Sequence, residues 1–145
     1  MRLTSRGRYA VQALADLASN KEHKPTNLTE ISLRQGISIS FLEQIFLQLK
    51  KRNLVKSLRG PTGGYILSKP SGEITLSSII EAVDEKVKTV ACKKDSKKGC
   101  NGKLAKCITH NLWDELENHI NTFFKQNTLK DILYKNFDKN NNLKN

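Results

Sequence analysis

Three cysteines and a histidine crowd a nineteen-residue stretch, Cys92, Cys100, Cys107 and His110, in the series C-x7-C-x6-C-x2-H. Soft thiolates and an imidazole bind Zn²⁺ or an iron-sulfur cluster and suit Mg²⁺ or Ca²⁺ poorly, because hard cations take oxygen donors. Structural zinc sites favour tighter C-x2-C pairs, and the wide gaps here leave room for a bulkier cofactor, but spacing alone leaves both metals open. His110 lies three residues after Cys107 at the start of a helix, so the two side chains share a face. His23 and His119 have no such company and read as surface imidazoles. An odd number of thiols packed this closely argues against a disulfide framework and for a reduced, cytoplasmic setting. A thiol enzyme using Cys92 or Cys107 would need a positioned base and a pocket, and only His110 is at hand, so the chain does not read as an enzyme.

The elements that must carry this site are mostly helical. A first helix opens at Thr4 or Ser5, either of which can cap it, and puts Ala10, Val11, Leu14, Leu17 and Ala18 on one face. Asn27 and Glu30 stand three apart as in a capping box, ahead of a short second helix that stops at Gly36. A third helix opens at Ser38 or Ser40 and places Leu42, Ile45, Phe46 and Leu49 on a core stripe. At 100° per residue Ser40, Glu43, Gln44, Leu47 and Lys51 then point away from that stripe. Two short helices joined at a glycine, the second with polar residues of groove-reading size, form a helix-turn-helix pattern. Two β-leaning runs, Leu54 to Arg59 and Tyr65 to Ser68, flank Gly60-Pro61-Thr62-Gly63-Gly64 and read as a two-stranded wing with Arg59 at its tip. An arginine beside glycines there suits a narrow minor groove.

Thr75 can cap a fourth helix through Leu76, Ile79, Ile80 and Val83. Residues 86 to 106 lose periodicity, and this is the stretch holding Cys92 and Cys100. From about Ile108 to Phe124 a long helix gathers Leu112, Trp113, Leu116, Ile120, Phe123 and Phe124 on one broad face. A second copy of the same helix is its economical cover, and folding back on its own domain is the competing arrangement. Asn127 or Thr128 caps a short last helix. The expected fold is therefore mostly α: a winged helix-turn-helix domain over 1–84, a cofactor-binding loop over 85–110, a dimerisation helix and short last helix over 108–135, and a disordered tail over 136–145.

Charge separates these parts. The 145 residues carry 25 Lys and Arg against 14 Asp and Glu, a net of 25 − 14 = +11. Residues 1–60 hold 11 basic and 4 acidic side chains, net +7, and residues 61–145 hold 14 and 10, net +4. The N-terminal part is thus the anion-facing surface. No stretch approaches the roughly 20 apolar residues of a membrane span, and the basic N-terminus lacks the uninterrupted apolar run and cleavage site of a targeting peptide.

Four segments in order carry a resemblance. They are Met1-Arg2-Leu3-Thr4-Ser5-Arg6-Gly7-Arg8-Tyr9-Ala10-Val11, then Ser38-Ile39-Ser40-Phe41-Leu42-Glu43-Gln44, then Arg59-Gly60-Pro61 with Gly63-Gly64-Tyr65, and the Cys92, Cys100, Cys107, His110 series. Together they resemble the bacterial winged-helix transcription regulators that sense iron-sulfur clusters and redox state. The resemblance implies a homodimeric regulator, a repressor of iron-sulfur cluster assembly genes, that binds a double-stranded DNA operator and deals with iron-sulfur scaffold proteins. It further implies a [2Fe-2S] cluster on Cys92, Cys100, Cys107 and His110, with zinc on the same four donors as the alternative. The resemblance puts Ser40, Glu43 and Gln44 on the recognition helix and Arg59 on the wing, and Arg2, Ser38, Lys51 and Gly60 complete the expected DNA-binding set. The gaps between cysteines are wider than is usual in that family, and the added positions are largely Lys93, Lys94, Lys97 and Lys98, cations that favour a reduced, more negative cluster.

Overall fold

The computed structural model describes residues 3–20, 22–85 and 107–135. Arg2, Cys92, Cys100, nearly all of the expected cofactor loop and the 136–145 tail lie outside the described residues.

Helix α1, Ser5–Ala18, buries Ala10, Leu14 and Leu17 of the expected stripe together with Ala13, while Val11 and Ala18 are half-buried. Thr4 is its N-cap residue, but neither Thr4 nor Ser5 supplies a capping side chain. The backbone N–H of Gly7 instead donates to Glu85 Oε2 at 3.1 Å, a carboxylate reaching in from far along the chain. A Cβ at position 7 would collide with that oxygen, so the glycine is what admits the carboxylate.

Helix α2, Leu28–Gln35, opens with the expected capping box: Asn27 Oδ1 accepts from Glu30 N at 2.9 Å and Glu30 Oε2 accepts from Asn27 N at 3.3 Å. Gly36 closes it in the left-handed region at φ +67°, where a Cβ is disfavoured. Ser38 then caps α3, Ile39–Lys51, by accepting from Phe41 N at 3.3 Å. On α3 Leu42, Ile45, Phe46 and Leu49 are sealed from solvent. Side chains of this size are each worth about 1.5 to 3 kcal/mol when fully buried, so the stripe fixes how α3 is rotated about its axis.

Strands β1, Val55–Leu58, and β2, Gly64–Leu67, pair antiparallel from Val55 opposite Leu67 to Leu58 opposite Gly64. The far edge of β2 is also held. Thr26 N donates to Tyr65 O at 3.0 Å and Tyr65 N to Thr26 O at 2.8 Å. A Cβ on Gly64 would lie 2.6 Å from the Thr26 carbonyl, so this close approach requires glycine. Phe46 and Tyr65, with ring centroids 4.8 Å apart, pack α3 against the wing.

Helix α4, Leu76–Ala82, is capped by Thr75 and sinks Leu76, Ile79 and Ile80 into the core. Helix α5 spans His110–Gln126 and starts two residues later than the apolar pattern suggests, because Ile108 sits in the preceding turn and is fully exposed. The chain then returns to the N-terminal core. Leu76 N donates to Asn127 O at 2.9 Å, Leu129 N donates to Ile74 O at 3.0 Å, and Leu129 is completely buried. Helix α6, Leu129–Tyr134, carries a Thr128–Asp131 capping box and rests on α1. Helix α5 lies against α4, and Phe124 near its C-terminal end packs on the buried core. Leu112, Trp113, Leu116 and Phe123 stay 56%, 37%, 39% and 48% exposed. The architecture is a helix-turn-helix with an antiparallel wing and a long amphipathic helix whose apolar face is left largely in solvent.

Candidate nucleic-acid interface and metal centre

The buried stripe of α3 leaves Ser40, Glu43, Gln44, Leu47 and Lys51 exposed, with Ser38 at the helix start. This is the outward face that the helical period predicts. The C-terminal end of this helix is held on two sides. Lys50 Nζ donates to Ser57 Oγ of β1 at 2.8 Å, and near the C-terminal end Gln48 Nε2 and Arg52 reach Asp84 at 3.5 and 3.7 Å. At the tip of the wing Arg59 and Gly60 are exposed, and Gly60 takes φ +114°, a conformation side chains rarely adopt. The turn closes as Gly63 N donates to Gly60 O at 2.9 Å, and a Cβ at position 63 would run into the Leu58 carbonyl oxygen. Tight glycine backbone thus holds Arg59 outward on the hairpin that follows α3 directly.

Behind this face a polar clasp ties α1 to α2. Asp16 is 6% exposed and receives Arg34 Nη2 at 2.7 Å, Arg34 Nε at 3.0 Å and Gln35 Nε2 at 2.7 Å. Gln12 donates in turn to Gln35 Oε1 at 3.0 Å. Burial pushes the Asp16 carboxyl up, but the hydrogen bonds from Arg34 and Gln35 and the Arg34 charge outweigh it and hold the group below its ordinary value of 3.8. The same pairing raises the Arg34 guanidinium.

Of the four donors with metal-ligating spacing, Cys107 and His110 are described. They share one turn at the start of α5, with His110 N donating to Cys107 O at 3.0 Å, and both are half-buried. Cys107 Sγ also lies 3.9 Å from Thr109 Oγ1, which accepts from Trp113 Nε1 at 3.1 Å. Among the described residues no three His, Cys, Asp or Glu side chains converge as a metal site. Cys92 and Cys100 are outside them. A thiolate and an imidazole on one helical turn are donors of the right softness for zinc or iron-sulfur and the wrong kind for a hard cation.

The sequence reading missed Asp84 and Glu85. These neighbours close the described part of the chain before the Cys92 and Cys100 stretch, one touching the end of α3 and the other the start of α1. Gly7 was the available signal, since a glycine inside a helical pattern marks a close approach.

Comparison with known proteins places this geometry. A family model described as Rrf2, iron-dependent transcriptional regulator, matches residues 3–135. The chain belongs to the Rrf2 family. This Rrf2 member is 49% identical over 133 residues to the HTH-type transcriptional regulator IscR of Cronobacter sakazakii, an alignment covering 92% of this chain and 80% of that protein. It also resembles the solved structure of T. potens IscR, with a TM-score of 0.72 and 32% identity over 92% of this chain and 86% of that one. The structure of CymR, described as the global cysteine regulator of B. subtilis, superposes with a TM-score of 0.76 at 26% identity, covering 91% and 95% of the two chains. The Rrf2 chain is a DNA-binding transcription regulator of the IscR type, and its relatives are named as regulators rather than enzymes. Among the described residues no helix is long and apolar enough to cross a membrane.

Proposed function

We propose that this Rrf2 regulator works in the cytoplasm as a homodimer that represses iron-sulfur cluster assembly genes. In this reading Cys92, Cys100, Cys107 and His110 hold a [2Fe-2S] cluster whose occupancy decides which operators are bound. The observation that carries it is the seating of Cys107 and His110 in one turn at the head of α5, with a reading face and a wing on the same chain. When bound, an iron-sulfur group supplies an oxidant-sensitive, redox-active centre. Loading and removal of that group would involve iron-sulfur scaffold proteins.

The chain's own residues supply the route to DNA. Asp84 touches Gln48 on α3 and Arg52 just after it, and the Glu85 carboxylate accepts from the start of α1, so the residues that lead to Cys92 and Cys100 are tied to the recognition helix and to the helix it packs on. A ligand moves such an equilibrium only by favouring one arrangement over the other, and these two contacts are where this chain can register the preference.

On DNA, Ser38, Ser40, Glu43, Gln44 and Lys51 line the major groove while Arg59 and Gly60 approach the minor groove and its backbone, and Arg2 adds a phosphate contact. Glu43 is repelled by phosphate and accepts from cytosine N4, so it admits some sequences and penalises others. Glu43→Ala should broaden the set of duplexes recovered by selection from a random library. A recovered set identical to that of the unaltered protein would remove Glu43 from base reading.

A further inference from the structure

We infer that Leu47 reads a thymine, by laying its side chain against the thymine C5-methyl group in the major groove. The inference rests on α3 being the recognition helix. Four of the apolar side chains on α3, Leu42, Ile45, Phe46 and Leu49, are at most 1% exposed, whereas Leu47 is 55% exposed. It shares the outward face with Ser40, Glu43, Gln44 and Lys51, whose side chains can all hydrogen-bond to bases or phosphates.

A lone surface leucine is ordinary, and Leu33 on α2, 81% exposed, is one. Leu47 differs by its place in the middle of a surface that must desolvate when α3 enters a groove. Its aliphatic tip offers nothing to N4 of cytosine, N6 of adenine or O6 and N7 of guanine, and covering any of them strips water without returning a hydrogen bond. The thymine methyl is the one apolar group that a base pair presents in the major groove. Leu47 thus gains contact at thymine and penalises cytosine, which lacks the methyl and exposes an amino group.

Glu43 stands one helical turn before Leu47, about 6 Å back along the axis. For a helix lying along the groove this is roughly two base-pair steps of about 3.4 Å. Glu43 accepting from a cytosine and Leu47 covering a thymine would together set a cytosine and a thymine about two steps apart within each half-site.

The test uses the full chain, purified anaerobically, and a duplex it selects from a random library. Each thymine in one half-site is replaced in turn by deoxyuridine, which removes only the methyl, and binding of the unaltered protein and of Leu47→Ser is measured by fluorescence anisotropy. The expected result is one position at which deoxyuridine weakens the unaltered protein about fourfold, the effect of losing one buried methyl, and leaves Leu47→Ser unaffected. No deoxyuridine position weakening binding more than about twofold, or an equal penalty in Leu47→Ser, would overturn the inference while leaving α3 as the recognition helix. Enrichment of no sequence at all would overturn the recognition helix itself and Leu47 with it.

Discussion

Asp16 carries the only buried charge among the described residues, and its three donors from Arg34 and Gln35 hold α2 on α1. Hydrogen bonds to a charged group contribute about 1.5 to 3 kcal/mol, and the half-exposed Arg34 side chain discounts this, so Asp16→Asn should cost about 1 to 2 kcal/mol in urea unfolding at pH 7. The sign of its pH dependence follows from the depressed carboxyl. A folded-state value below the ordinary 3.8 makes the contribution complete above that pH and lost as pH falls through the lower folded value. Stability of the unaltered protein should therefore drop below about pH 4 more steeply than that of Asp16→Asn. Parallel curves would mean that Asp16 is not the ionised partner of Arg34.

At the scale of elements, the apolar stripes of α1, α3 and α4, the Asn27–Glu30 box and the glycine stop at Gly36 were legible, because each depends on local spacing or on one backbone conformation. The outward face of α3 was legible for the same reason. Contacts between distant segments were not: no local pattern announces that Thr26 pairs with Tyr65 or that Asp16 meets Arg34, and Gly7 marks a close approach to α1 without naming Glu85, 78 positions away, as the group that makes it. The start of α5 at His110 was displaced because Ile108 is apolar yet lies in a turn, where its exposure breaks the pattern. For the four metal donors the residue types carry the chemistry, and the two described ones, Cys107 and His110, share one turn. The Glu85 contact gives an element-scale prediction. Replacing a capping carboxylate costs about 0.5 to 2 kcal/mol, so Glu85→Ala should lose about 1 kcal/mol in urea unfolding and narrow the difference in operator affinity between protein purified anaerobically and protein stripped with a chelator. An unchanged difference would remove Glu85 from the coupling.

For the whole molecule, the question is what covers α5. Leu112, Trp113, Leu116 and Phe123 are partly or largely in solvent in the single chain, while its own domain meets another side of α5 through α4 and Phe124. A second copy with the same stripe fits a two-fold pair, which would present two reading heads to half-sites about 34 to 36 Å apart, one turn of B-DNA. Leu116→Lys, a change on the exposed face of α5, should shift sedimentation from dimer toward monomer and weaken binding to a two-half-site duplex by tenfold or more on the order-of-magnitude scale of lost bivalency. A dimer of undiminished stability would place the interface elsewhere. The proposed regulation depends on Cys92, Cys100, Cys107 and His110 binding an iron-sulfur cluster rather than zinc. Metal and acid-labile sulfide analysis of the anaerobically purified protein, beside Cys107→Ala, tests this most directly. Equal amounts of iron and sulfide in a coloured protein, both lost in Cys107→Ala, is the predicted result. A colourless protein holding stoichiometric zinc and no sulfide would contradict it.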